Sequence, residues 1–186
     1  MIQVRIASLE DVNEISCVLA ASWKSAYRGI VHDEYLDSLN HNHWVKFLID
    51  GIKNKNIVTK PEKRKSCSCG NDQNQVQSIF AMVLEQEEKI IGSAILSEDE
   101  SKMNLISFYL LPEKIGYGFG HLFWTAIETE LKCGGFTKCI LDVLQDNHRA
   151  IRFYEAHGFL KTNKIINVAL GEYEYTCNVY EKSLEF

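Results

Sequence analysis

Between Ile115 and Gly120 the chain reads Ile-Gly-Tyr-Gly-Phe-Gly, with glycines at 116, 118 and 120. That spacing suits the holding of an anion by main-chain N–H groups. Glycine lacks a Cβ, so its backbone can approach a phosphate closely and adopt conformations closed to other residues. Where a helix starts, its first N–H groups have no intrahelical partner. The helix dipole adds partial positive charge at the same place. Gly116, Gly118 and Gly120, with His121, are therefore expected to cradle a phosphate or pyrophosphate.

Several readings compete for such a turn. A P-loop needs Gly-Lys-Ser/Thr after the glycines, and here Gly120 is followed by His121-Leu122. A dinucleotide fold needs G-x-G-x-x-G; counted from Gly116, the sixth position is His121, so the match fails by one residue. Asp142 does lie about where a ribose-binding carboxylate would stand, which keeps that reading open. The plainest alternative is a turn whose glycines only allow tight strand–helix packing.

The turn has a strand before it and a helix after it. Residues 104–111 form an apolar run ended by Pro112. Phe119, Leu122, Phe123, Ala126, Ile127 and Leu131 then recur at helical spacing, and Gly134-Gly135 end the pattern. Residues 137–144 read as another buried strand. Asp146-Asn147 cap a helix carrying Ile151, Phe153 and Tyr154, with Gly158 as its stop. Two final strands, at 160–170 and 173–183, join at Gly171-Glu172.

Upstream, residues 2–6 alternate as a first strand. Ser8 and Asp11 form a weak capping box before a long amphipathic helix running to about Arg28-Gly29. Trp23 and Tyr27 lie on its apolar face, where core packing competes with lining a substrate site. Asp33 is placed to cap a short helix with Tyr35, Leu36 and Leu39, and a third helical stretch carries Trp44, Phe47 and Leu48. Residues 60–75, within a polar segment of about 60–76, carry almost no apolar side chain and read as a flexible loop. Strands follow at 78–84 and 89–96, with a turn around Glu98–Lys102. The fold class is α/β: a single mixed, mostly antiparallel central sheet of about seven strands, with helices on both faces. The 186 residues suit one domain, 1–186.

The formal charge is −5, from 20 basic and 25 acidic residues, which argues against nucleic acid and suits cationic substrates. No apolar run approaches the roughly 18 residues that span a membrane, and no signal peptide is visible, so a cytoplasmic location is expected. The six cysteines then default to free thiols. Cys67-Ser68-Cys69 is too short a spacing, with no nearby His/Cys pair, for a tetrahedral metal site, so no metal is expected.

Residues 147–159 read Asn-His-Arg-Ala-Ile-Arg-Phe-Tyr-Glu-Ala-His-Gly-Phe. With Phe108 to Pro112 and the glycine turn, this string resembles the GCN5-related N-acetyltransferases. Its pattern Asn-x-x-Ala-x-x-Phe-Tyr-Glu-x-x-Gly-Phe is more specific than the glycines alone. The stretch from Trp23 through Tyr27 and Gly29 to Tyr35-Leu36 also looks like many family members. The resemblance covers nearly the whole chain except residues 60–75.

The resemblance implies acetyl-CoA as cosubstrate and direct attack of a primary amine on its thioester. A non-catalytic acyl-CoA-binding or sensor module of the same fold is the alternative. It implies that the central strand splays from the strand after the helix, freeing main chain for the pantetheine arm. The implied cofactor-binding residues are Leu110, Ile115, Gly116, Gly118, Phe119, Gly120, His121 and Asn147. Leu110 would set its N–H near the thioester oxygen. Asn147 would bond the cofactor arm, or act as a plain helix cap, or both. Tyr154 matches the family tyrosine that protonates the departing thiolate, with a core tyrosine bonded to a backbone carbonyl as the alternative. The last strands often pair between subunits in this family, so a homodimer is implied.

Two positions depart from the pattern. Ile115 stands where the family prefers Gln or Arg, so the grip there rests on main-chain donors. Asn104 stands where many members carry a Glu base, and Asn cannot accept a proton at neutral pH. The base must lie elsewhere or act through water. Glu85, Glu98, Glu100 and Glu172 lie near strand ends, with none singled out. His32, His41 and His43 fall in the helical region that, by resemblance, walls the acceptor pocket. His157, beside the helix stop, is expected to partner the helix C-terminus.

Overall fold

The computed structural model describes residues 1–55 and 79–184. The polar stretch 60–75, with Cys67 and Cys69, lies outside the described residues. The order is β1 (Ile2–Ile6), α1 (Val12–Ala26), α2 (Asp33–Ser38), α3 (Val45–Lys55), β2 (Ile79–Gln86), β3 (Lys89–Asp99) and β4 (Lys102–Leu110). Then come α4 (Phe119–Cys133), β5 (Lys138–Leu144), α5 (His148–Ala156), β6 (Leu160–Leu170) and β7 (Tyr173–Ser183). The strands form one seven-stranded sheet in the order β1-β2-β3-β4-β5-β7-β6. Only β4 and β5 pair in parallel; the other neighbours are antiparallel.

Both faces of the sheet centre are covered, so β2 and β3 read as nearly continuous apolar runs. On β2, Met82 and Leu84 join the core formed with Phe123, Trp124 and Ile127 of α4. Ala81 and Val83 face the opposite way, into a core with Val12, Ile15 and Leu19 of α1 and Leu48 of α3. Period-2 alternation thus serves two cores at once. No helix among the described residues is long and apolar enough to cross a membrane.

The capping box at Ser8 and Asp11 forms. The Ser8 N–H donates to Asp11 Oδ2 at 2.7 Å, and the Ser8 hydroxyl accepts from the Glu10 N–H at 3.3 Å. The box encloses a short 3-10 turn, Leu9–Asp11, and α1 proper begins at Val12. The helix ends at Ala26, a turn earlier than the apolar periodicity suggests. Asp33 opens α2 rather than capping it; His32 holds the cap position without a side-chain cap bond. Both side chains are engaged elsewhere. The His32 ring lies 2.7 Å from the Tyr175 hydroxyl, and Asp33 pairs with Arg28 at 2.8 Å.

Candidate active site

The site opens where the sheet parts. β4 and β5 share only Lys102↔Lys138, Met103↔Cys139 and Asn104↔Ile140. Past Asn104, β4 continues beside β3, and β5 beside β7. The parting coincides with a bulge. Ile95 pairs with Ser107 and Leu96 with Leu105, which leaves Ile106 as an extra residue on β4. A bulge bends its strand and steepens the local twist, so it turns β4 away from β5 at that point.

A cavity of about 180 Å³ fills the gap. β4 contributes Leu105 to Tyr109, β5 Asp142 to Leu144, and α5 Ala150 and Tyr154. Asn147, Trp23 of α1, Tyr27 just past its end, and Val168, Leu170 and Cys177 of the β6–β7 hairpin close it. For Trp23 and Tyr27, packing does not exclude a place in the cavity wall. They pack, with ring centroids 4.6 Å apart, and they line the cavity. The Tyr27 and Tyr109 hydroxyls lie 2.8 Å apart, and burial raises the pKa of both phenols.

Tyr154 lines the same cavity. Its ring packs edge-on against Phe153 and Phe159, each at 5.5 Å. Among the described residues its hydroxyl has no protein hydrogen bond, unlike a core tyrosine fixed to a carbonyl. Burial pushes its pKa well up, so the phenol keeps its proton at neutral pH. Asn147 is buried, and its side-chain oxygen accepts from the Ala150 N–H at 3.1 Å, the bond of a helix N-cap. It also reaches the cavity wall beside Tyr27. The Ser107 hydroxyl is buried without a partner in the same wall.

The glycine turn lies beyond the end of β4, and its glycines divide into two kinds. Gly116 and Gly118 have φ of +91° and +83°, and a Cβ on either would meet nothing within 4 Å. They supply backbone shape beside open space, as an anion cradle requires. Gly118 is also the N-cap of α4. Gly120 has ordinary φ, but a Cβ there would stand 3.1 Å from Phe153 Cε2. It lets α4 approach α5. Leu110 is not in the cavity lining; its side chain bridges Gly92 and Gly120, and so ties the strand end to the turn. Ile115 is half-buried. Phe119 packs against the core. His121 is exposed, its Nδ1 3.0 Å from His157 Nε2. His157 Nδ1 lies 2.7 Å from the Phe153 carbonyl, the role expected beside the helix stop. The Phe153 carbonyl can only accept, so His157 Nδ1 carries the proton of that bond.

None of the four candidate glutamates lines the cavity. Glu85 is tied to Arg5 at 2.8 Å, near the opposite edge of the sheet. Glu98 and Glu100 sit at the β3–β4 turn, at the far end of β4, and Glu172 is exposed in the β6–β7 turn. His32 stacks on Tyr173 at 3.4 Å and His43 packs on Trp44 at 4.6 Å; neither they nor His41 line the cavity. The carboxylate that does is Asp142. Sequence reasoning weighed it only as a ribose ligand. The signal was present: a carboxylate within the otherwise apolar run Cys139–Leu144 of β5.

This geometry agrees with what known proteins reveal. Residues 36–159 match the Acetyltransferase (GNAT) family. A spermidine N(1)-acetyltransferase of Thermoplasma acidophilum is 26% identical over 158 residues, covering 85% of this chain and 88% of that protein. An uncharacterized N-acetyltransferase, YuaI of Bacillus subtilis, is 29% identical over 164 residues, covering 84% of this chain and 79% of that protein. Among solved structures, the PaiA N-acetyltransferase of Thermoplasma acidophilum, in complex with coenzyme A, superposes with a TM-score of 0.67 at 22% identity, covering 98% and 99% of the two chains. The ribosomal-protein-S18-alanine N-acetyltransferase of Escherichia coli gives 0.66 at 14% identity, covering 100% and 96%. With the parted strands and glycine turn in place, the chain belongs to the GNAT acetyltransferase family, as an N-acetyltransferase that uses acetyl-CoA.

Proposed function

We propose that the chain transfers the acetyl group of acetyl-CoA to a primary amine by direct attack, with Tyr154 protonating the departing thiolate. The observation that carries this is the free Tyr154 hydroxyl in a cavity that begins where β4 leaves β5. The diphosphate would rest on N–H groups of the turn at Gly116, Gly118 and Gly120, together with those at the start of α4. The pantetheine arm would lie along the open side of β4, with Asn147 beside it. Leu110 would present its N–H to the thioester oxygen. Trp23, Tyr27 and Tyr109 would pack against the acceptor, since aromatic faces favour a bound ammonium.

The named activity of the curated relative makes polyamines the first acceptors to test. Release of free CoA thiol from acetyl-CoA across a panel of polyamines, amino acids, aminoglycosides and peptides tests the reading. Turnover of at least one primary amine is expected. Binding of acetyl-CoA without turnover of any amine supports the non-catalytic module, which Asn104 at the usual base position favours. A dimer through β6 is part of the same proposal: this edge strand exposes Leu160 at 72% and Ile165 at 60%.

A further inference from the structure

We propose that Asp142 anchors the acceptor's ammonium group and acts as the general base that removes its proton. This rests on the acetyl-transfer reading above. Among the described residues, Asp142 is the only one of the cavity lining that carries a formal charge at neutral pH. The ionisable groups that share the cavity wall with it are Tyr27 just past α1, Tyr109 from β4, Tyr154 from α5 and Cys177 from β7. Burial holds all four neutral. No lysine or arginine lines the cavity, and Asp142 makes no ion pair among the described residues. Asp142 is exposed along the gap, and a carboxylate there without a cation of its own leaves the countercharge to the ligand. A protonated amine supplies that charge.

Position supports the assignment. Asp142 lies on β5 beyond the last residue paired with β4, so it borders the gap rather than the sheet interior. Tyr154 borders the same gap from α5. An amine between them would have the base on one side and the thiolate's proton source on the other. A carboxylate of ordinary pKa is a poor base for an ammonium, but desolvation raises the pKa of Asp142. Asn104 cannot take this role.

The protons balance. Asp142 accepts one proton from R–NH3+ and later releases it to solvent. The freed amine lone pair forms the C–N bond at the thioester carbonyl. The C–S bond breaks and its electron pair leaves on sulfur, which takes the Tyr154 proton. The second proton, on the attacking nitrogen, returns to the Tyr154 oxygen. The sum is amide, free CoA thiol and one released proton.

The test compares wild type, Asp142→Asn and Asp142→Glu with an amine that wild type acetylates. Acetyl-CoA affinity, kcat/KM against pH and thermal stability against pH are measured. Asp142→Asn is expected to lower kcat/KM by about 10²-fold with acetyl-CoA affinity unchanged. The carboxylate limb of its pH profile disappears, leaving the limb of the amine itself, and Asp142→Glu recovers part of the rate. Because the charged form is the penalised one, Asp142→Asn should melt above wild type at neutral pH, with the gap closing below about pH 4. Wild-type kcat/KM in Asp142→Asn overturns the assignment. So does a lowered rate with an unchanged pH profile, or a loss of acetyl-CoA affinity. A wild type that acetylates no amine in the panel overturns the acetyl-transfer reading itself, and the role of Asp142 with it.

Discussion

The Ser22 hydroxyl donates to the Leu110 carbonyl at 2.8 Å, fastening α1 to the end of β4. Ser22 is buried. Across the strand, a Cβ at Gly92 would come within 2.5 Å of Leu110 Cδ2. The strand end that would face the thioester is thus held from two sides. Ser22→Ala leaves that carbonyl without its donor. A stability loss of about 1–2 kcal/mol is expected in urea unfolding, with a several-fold lower kcat and little change in acetyl-CoA affinity.

Gly118→Val and Gly120→Val should fail differently. At Gly118 the new side chain meets open space, and the cost, about 1–2 kcal/mol, lies in the left-handed backbone. The fold should survive while CoA affinity is lost. At Gly120 the side chain meets Phe153, so affinity falls together with about 1–3 kcal/mol of stability. Calorimetric titration with CoA and a thermal melt separate the two. CoA affinity retained by Gly118→Val would overturn the anion-cradle role of the turn.

Tyr154→Phe removes one oxygen and keeps the packing against Phe153 and Phe159. We expect kcat to fall by about 10- to 100-fold with unchanged melting temperature and acetyl-CoA affinity. Unchanged turnover on a verified acceptor would remove Tyr154 from the mechanism.

The Arg5 guanidinium beside Asp11, at 2.8 Å, holds that carboxyl down at about 2, from 3.8. A depressed carboxyl stabilises the fold above its unfolded pKa and loses that contribution as pH falls through the folded one. After solvent screening of a partly exposed pair the contribution is about 1 kcal/mol. Asp11→Asn should therefore be less stable than wild type at neutral pH, and the difference should shrink below about pH 4 and vanish below about pH 2. Chemical denaturation along a pH series reads this directly.

Thiol alkylation at neutral pH should divide the described cysteines. Cys17 and Cys133 are exposed. Burial pushes Cys139 up to about 12 and Cys177 up to about 11. Peptide mapping after brief labelling should find the first pair modified and the second protected. Because Cys177 lines the cavity, saturating acetyl-CoA should protect it further.

The elements were legible because each has a local cause. The last two strands appear at their predicted positions, since Gly171, with φ of +66°, takes the left-handed turn between two long runs. The helix at Phe119 follows from its apolar spacing and the glycine before it. The parting of β4 from β5 was expected from resemblance alone, because one extra residue at Ile106 leaves no mark in composition or periodicity. Asp142 escaped for a different reason. A carboxylate in an apolar strand is visible in the sequence, but which face it takes depends on a gap made by a neighbouring strand. Gly120 likewise looked like its neighbours until Phe153, from another helix, stood against it.

The three residue pairs that join β4 to β5 make this seam the weakest joint of the sheet. On one side stand β1 to β4 with α1 and α3; on the other, β5, β7 and β6. A cosubstrate lying along the seam would complete the missing rungs of a ladder. Acetyl-CoA would then act on the protein as mortar between two blocks. Amide hydrogen exchange should slow on both banks of the seam when it binds.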